Sequence, residues 1–248
     1  MLIYGLNPVL EALRAKRVRR LRLGARADAR MNEAVALAKS SGVPVERVDT
    51  PVLDRLSHGG VHQGIVAELE PLHDYTVEQL VEAAAPAPPL LVVLDGVEDP
   101  HNLGAIIRSV DAAGGHGLVR QARHSASLEG AAAKASAGAV AFVRIATVVN
   151  IARAIEALKD TNVWTVGFAG EAPESYDDVD YTVPTAIVVG GEGEGLRRLT
   201  RDKCDRLVRI PMAGGVASVN VSVAAAVALF EAARQRRKAS KIRGLGRS

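Results

Sequence analysis

The sequence predicts an α/β protein of two units, the second a doubly wound parallel sheet. Three observations lead there. Leu90 to Leu94 reads LLVVL, a continuous apolar run suited to a strand buried on both faces of a parallel sheet. From that run to residue 237, strand-like segments alternate with helical spacing, the pattern of a doubly wound fold. Before it, Pro71 to Pro89 is a polar stretch ending in AAAPAPP, whose prolines favour an extended spacer. The expected organisation is a first unit over 1–70, a linker over 71–89, a main unit over 90–237 and a basic tail over 238–248.

In the first unit, Asn7-Pro8 offers a capping side chain and then a residue suited to the first helical position, with Val9, Leu10 and Leu13 at helical spacing up to Ala15. Arg19 to Leu23 alternates as a strand, Met31 to Ser41 reads as a helix closed by Gly42, and Val43 to Val48 as a second strand. Pro51 to Leu56 is a short helix, Ser57 to Gly60 a loop, and Gly64 to Glu68 a third strand. In the main unit, Leu90 to Leu94 is followed by strands at Gly117 to Val119, Val163 to Phe168, Thr185 to Val189 and Arg206 to Ile210. Helices are expected at Asn102 to Ala113, Ile151 to Lys159, Leu196 to Lys203 and Ser222 to Arg237. There is no internal repeat.

Composition removes several functional classes. Of 248 residues, 48% are apolar and 24% charged, as in ordinary folded proteins. The longest apolar run, Val216 to Phe230, is broken by Ser218, Asn220 and Ser222 and falls short of the ~20 residues of a membrane helix. With no secretory leader pattern, the expected compartment is the cytoplasm. The single cysteine, Cys204, rules out an internal disulfide and a thiolate zinc site. Charge is unevenly spread: residues 1–70 carry 11 Lys and Arg against 8 Asp and Glu, residues 71–233 carry 13 against 20, and residues 234–248 carry 7 against none. Arg14 to Arg30, with eight basic residues and only Asp28 as an acid, and the tail are therefore the parts suited to a polyanion. Aromatic residues are only 3%, so RNA binding would rest on phosphate contacts and shape and not on base stacking.

Three stretches of the main unit sit at the C-terminal ends of expected strands, where open α/β sheets place ligands. In Asp95 to Gly114, Asn102 is placed to cap the next helix, Gly104 lets another backbone approach its first turn, and Arg108 projects one turn on. In Val188 to Leu196, the glycines 190, 191, 193 and 195 suggest a phosphate loop but do not match G-x-G-x-x-G. Glu192 and Glu194 would repel a pyrophosphate and suit a cationic or hydroxyl-bearing ligand. In Arg209 to Ala232, a strand ends at Ile210-Pro211, and Ser218, Asn220 and Ser222 precede a helix of small residues. Capping by Ser222 accounts for one member of that polar series.

Together these stretches resemble the SpoU/TrmH family of the SPOUT superfamily, RNA ribose 2′-O-methyltransferases, over essentially the whole chain. The first is similar to the family's opening motif with its asparagine and arginine, the second to its glycine-glutamate motif, and the third, RIPMAGGVASVNVSVAAAVALFEA, to its closing IPMxGxxxSLNVSVAxA motif. Val219 stands where the family usually has leucine, and Gly191 where alanine or another small residue is common. The first unit, with YGLNPVLEAL and VHQGIVA, resembles the ribosomal-protein-like RNA-binding domain of the branch that methylates a guanosine of 23S ribosomal RNA.

The resemblance implies a deep trefoil knot in the second domain, with the segment around residues 190–225 threaded through an earlier loop, a rare exception to ordinary chain connectivity. It implies S-adenosylmethionine as methyl donor, held by backbone groups of Gly190, Ile210 and Val219 with Met212 nearby, and with Asn220 positioning groups. It implies a homodimer with RNA, ribosomal RNA in the first place, as substrate. The reaction, attack of a ribose 2′-hydroxyl on a sulfonium methyl group, requires alignment and proton removal but no metal. Arg108 is the residue to which the family points. A guanidinium is effectively always protonated, so its expected role is to hold a phosphate and stabilise the developing alkoxide. Glu192 is the candidate to accept the proton or orient Arg108, and Asn102 to position groups.

Other residues carry weaker signals. His58 and His62 lie four apart, but Gly59 and Gly60 between them oppose the helix that a metal pair needs, which leaves a loop contact to RNA. His101 reads as a turn residue beside Asn102, Cys204 as inert, and His116 and His124 carry no usable pattern. Three rival functions stay open: the same chemistry on transfer RNA, a non-catalytic RNA-binding protein of the same fold, and a nicotinamide-dependent oxidoreductase. Loss of Asn102, Arg108 or Asn220 would mark the second, yet all are present, and the acidic glycine loop counts against the third.

Overall fold

The computed structural model describes residues 1–25, 29–71 and 73–245, with side chains up to residue 242. Arg26 and Asp28 of the basic stretch, Leu72 and residues 246–248 of the tail lie outside the described residues. By their contacts the described residues group into two compact units: 1–73 with 99–108 and 126–142, and 74–98 with 109–125 and 143 onward. The first thus includes two stretches that the sequence order places after the linker.

In chain order the first unit opens with β1 (Leu2–Tyr4), α1 (Leu6–Arg14), β2 (Val18–Leu23), α2 (Ala29–Ser40), β3 (Val45–Arg47), α3 (Thr50–Leu56) and β4 (Ile65–Leu69). Its sheet has the order β1-β4-β2-β3, with β4 antiparallel to both neighbours and β2 parallel to β3. The short strand β1 was not legible as one. Val9, Leu10, Ala12 and Leu13 bury one stripe of α1, as the spacing requires. Asn7 is not its cap: the helix starts one residue earlier, Gly5 at φ +91° stands before it, and the Leu6 amide donates to Gln63 Oε1 at 2.9 Å. Asn7 Oδ1 instead accepts from Arg30 at 2.5 Å.

The following elements are α4 (Val77–Glu82), β5 (Leu90–Asp95), α5 (Pro100–Ala112), β6 (Gly117–Gln121), α6 (Ala131–Ala135), β7 (Ile145–Val148), α7 (Ile151–Asp160), β8 (Trp164–Phe168), β9 (Glu174–Ser175), β10 (Thr185–Gly190), α8 (Arg198–Lys203), β11 (Arg206–Arg209) and α9 (Val221–Leu245). Seven strands form one sheet in the order β7-β6-β5-β10-β8-β11-β9, every adjacent pair parallel. Strand β5 is buried at all six positions. Leu91 and Val93 meet Val188 of β10, Val119 of β6, and Ile155 and Leu158 of α7 in one core. Helix α7 buries Ile151, Ala154, Ile155 and Leu158, and Asn150 caps it by accepting from the Arg153 amide at 3.1 Å.

The stretch 71–89 is not wholly an extended spacer. Thr76 and Gln79 form a reciprocal capping box at the start of α4, and Leu80 is fully buried in the core of the second unit. Helix α9 runs through the expected boundary at 237 and on to Leu245. Its residues Ala225, Ala228, Leu229 and Ala232 are fully buried, and Arg236 donates to the carbonyls of Tyr181, Pro88, Pro89 and Val183 at 2.6–2.9 Å. No helix among the described residues is long and apolar enough to cross a membrane.

Candidate active site

The chain leaves β5 for β6 and β7 on one side of the sheet, while β10 and β8 lie on the other, so the strand order reverses between β5 and β10. Ligands of open parallel sheets bind beyond the carboxyl ends of the strands at such a point. Asp95 and Gly190, the last residues of β5 and β10, face each other there. Beyond Gly190 opens a cleft of about 530 Å³, built from the ends of β8, β10 and β11 and the first turn of α9. That volume lies in the ordinary range of about 300–1,000 Å³ for sites of small organic ligands.

Gly190, Ile210, Met212, Val219 and Asn220 all line this cleft, as does Glu192. They come from two separate loops, the one that follows β10 and the one that joins β11 to α9, and only the fold brings them together. Gly190 has no room for a side chain, since a Cβ there would lie 2.0 Å from the carbonyl carbon of Gly195. Gly191 has none either: its Cβ would lie 2.2 Å from the Gly96 carbonyl oxygen. The loop folds back on itself through the Gly195 amide, which donates to the Gly191 carbonyl at 3.2 Å. Glu192 is exposed at its tip and accepts from the side-chain amide of Asn220 at 3.3 Å.

Asn220, not Ser222, caps α9. Its Oδ1 accepts from both the amide and the hydroxyl of Ser222, at 2.8 and 2.6 Å, and its carbonyl accepts from Ala224 at 2.9 Å. Helix α9 therefore begins at Val221, one residue before the expected start. On the far rim of the cleft Glu171 pairs with Arg201. Apolar walls from Phe168, Val189, Ile210 and Met212, with the carboxylates of Glu192 and Glu194 beside them, suit a ligand that joins a flat apolar ring to a cation. S-adenosylmethionine is such a ligand.

Asn102 and Arg108 are not among the residues that line this cleft; both belong to α5. Asn102 does not cap α5, because the helix has already started at Pro100, with Asp99 accepting from the His101 amide at 3.0 Å. It is buried in the first turn, whereas Arg108 is exposed. Gly104 performs the expected close approach: a Cβ there would lie 2.5 Å from both the Ala132 carbonyl oxygen and the Ala135 Cβ.

Sequence reasoning assigned no role to Asp95. Its carboxylate is 1% exposed and accepts from the backbone amide of Arg197 at 2.9 Å and from its Nε at 2.7 Å. The one available signal was an aspartate closing a run that is otherwise entirely apolar. Several other singled-out residues have local partners. His62 bridges Asp54 at 3.0 Å and the Gly64 amide at 2.9 Å, and His124 stands 3.5 Å from Glu98. Burial pushes the Cys204 thiol up to about 12, so it is not a nucleophile at neutral pH. Among the described residues no group of three or more His, Cys, Asp or Glu side chains is placed to hold a metal ion.

Comparison with known proteins agrees with this geometry. Residues 89–230 match the SpoU rRNA methylase family, and residues 2–75 match the family of RNA 2′-O ribose methyltransferase substrate-binding domains. The chain is 44% identical over 239 residues to an uncharacterized tRNA/rRNA methyltransferase of Mycobacterium leprae, covering 95% of this chain and 77% of that one. It is 43% identical over 240 residues to the 23S rRNA (guanosine-2′-O-)-methyltransferase RlmB of Escherichia coli, covering 95% and 98%. The crystal structure of the SpoU methyltransferase AviRb from Streptomyces viridochromogenes with AdoMet superposes with a TM-score of 0.80 at 27% identity, over 96% of this chain and 91% of that one. This chain belongs to the SpoU rRNA methylase family.

Proposed function

We propose that this protein is an S-adenosylmethionine-dependent RNA methyltransferase that modifies the ribose 2′-hydroxyl of a guanosine in 23S ribosomal RNA. The observation that carries the reading is the cleft that gathers Gly190, Glu192, Ile210, Met212, Val219 and Asn220 at the carboxyl ends of β8, β10 and β11. The 43% identity to the E. coli enzyme, over nearly the whole length of both chains, supports guanosine of 23S ribosomal RNA as its target.

When bound, the donor supplies an electrophilic methyl group on a sulfonium. Backbone groups of Gly190, Ile210 and Val219 would hold it, with Met212 nearby and Asn220 fixing the cleft wall. The exposed carboxylate of Glu192 accepts the proton of the ribose hydroxyl or orients Arg108. In the homodimer, whose two copies share the active site across their interface, the permanently cationic Arg108 holds a neighbouring phosphate and stabilises the developing alkoxide, with Asn102 positioning groups. Exposed Lys16, Arg19 and Arg20 in the first unit supply phosphate contacts.

The reading extends to a cytoplasmic homodimer with a trefoil knot over residues 190–225. Exposed Val223 and Phe230, on one helical face of α9 with the half-buried Ala226 and Val227 between them, support pairing of two copies through that helix. Incubation with labelled donor and either unmodified large-subunit ribosomal RNA or transfer RNA tests the substrate. Incorporation into ribosomal RNA is expected, and incorporation into transfer RNA alone would replace it with the alternative target.

A further inference from the structure

The wall of the cleft at residues 190–196 contains four glycines in seven residues, and Glu192 to Gly195 are exposed. A segment of that composition loses much backbone freedom when fixed and has little side-chain packing to offset the loss. Asp95 holds both of its ends. Its carbonyl accepts from the Gly191 amide at 2.8 Å, and its buried carboxylate accepts from the Arg197 amide at 2.9 Å and Nε at 2.7 Å, with Nη2 at 2.5 Å. The same guanidinium donates to the Gln121 side chain at the end of β6 and lies under Gly96, whose Cβ would sit 3.7 Å from it. Neither Asp95 nor Arg197 lines the cleft.

We propose that Asp95 and Arg197 form a positioning pair that clamps the glycine loop into the shape that binds the methyl donor. The proposal rests on the donor-binding reading of the cleft. A planar guanidinium engages a carboxylate through two nitrogens at once while keeping a third direction for Gln121, which an ammonium cannot reproduce. The Arg197 amide bond to Asp95 survives any side-chain replacement, so the aspartate stays partly satisfied in the variants.

The test compares the full-length protein with Arg197→Ala and Arg197→Lys by amide hydrogen exchange over residues 190–196 and by calorimetric titration with S-adenosylhomocysteine. Arg197→Ala is expected to weaken that binding by roughly 10- to 100-fold and to speed exchange in the loop, while β5 and β10 keep their protection. Arg197→Lys, which keeps a cation beside the buried carboxylate, should recover part of both effects. It carries the test if the alanine variant does not fold. Unchanged loop exchange in both variants would overturn the proposal, as would exchange that rises equally in β5 and β10. If the wild-type protein binds no S-adenosylhomocysteine, the donor reading fails. Loop exchange still decides the clamp: faster local exchange upholds it, and unchanged exchange overturns it.

Discussion

Asn220 and Glu192 are joined by a hydrogen bond from amide to carboxylate at 3.3 Å, which ties the cap of α9 to the tip of the glycine loop. One side chain thus serves two elements, since Asn220 also accepts from Ser222 at 2.8 Å. Asn220→Asp keeps an oxygen acceptor for the cap but sets a second carboxylate beside Glu192. With no amide left to hold Glu192 at the loop tip, it should melt close to wild type and bind donor more weakly. Asn220→Ala loses the cap as well, at about 0.5–2 kcal/mol of stability. Thermal melts read beside donor titrations separate the two effects; equal donor affinity in all three proteins would remove Asn220 from the site.

Arg108 is exposed on α5 and outside the donor cleft, so its removal should leave donor binding intact. Arg108→Ala is expected to lower methyl transfer by at least about 100-fold, the scale of losing one group that stabilises a developing oxyanion. Arg108→Lys should recover little if planar contact with a phosphate matters. Methyl transfer at the wild-type rate by Arg108→Ala would take it out of the mechanism.

Gly104 allows α5 to touch the backbone of residues 132–136, with a would-be Cβ only 2.5 Å from the Ala132 carbonyl oxygen. Gly104→Ala must push the two segments apart and should cost about 1–3 kcal/mol, measured by urea unfolding. Gly214→Ala is the control, because nothing lies within 4 Å of its would-be Cβ.

His116 ties β6 to β5 in both directions: its amide donates to the Leu90 carbonyl at 2.8 Å, and its Nδ1 accepts from the Leu90 amide at 3.0 Å. Acceptance requires the neutral ring. Burial, with the charges of Arg236 and Arg144, holds its pKa below the usual 6.5. The unfolded chain therefore takes up the proton first, so this contribution is present above about pH 6.5 and lost as pH falls through the lowered native value. Urea unfolding at neutral and mildly acidic pH should show stability falling with pH, and His116→Gln should flatten that slope. An unchanged slope would assign the pH dependence to other groups.

Much of the second unit was legible because its strands are buried on both faces. Leu90 to Leu94 and Thr185 to Val189 are apolar almost throughout, and such runs have few readings besides a central parallel strand. β1, β7 and β9 have two to four residues each, too few for any period to show. α4 was hidden by the prolines after it, although Thr76 and Gln79 carried its capping box in plain view. At the site, the resemblance to the SpoU/TrmH family pointed to Gly190, Ile210, Met212, Val219 and Asn220, with Glu192 beside them as an acid in the glycine loop, and all six line one cleft. The capping roles of Asn102 and Ser222 were misplaced by a few residues, because Asp99 and Asn220 are equally good caps nearby. The Asp95 and Arg197 pair spans 102 positions, and no local pattern announces a contact at that separation.

Transfer of a methyl group to a ribose oxygen of guanosine leaves a product that can be identified directly. After incubation of the protein with S-adenosylmethionine and unmodified large-subunit ribosomal RNA, digestion to nucleosides followed by mass spectrometry reads the product directly. 2′-O-methylguanosine with the added mass on the ribose fragment is the expected product. A methyl group on the base, or no methylated nucleoside from protein shown to bind donor and RNA, would contradict it.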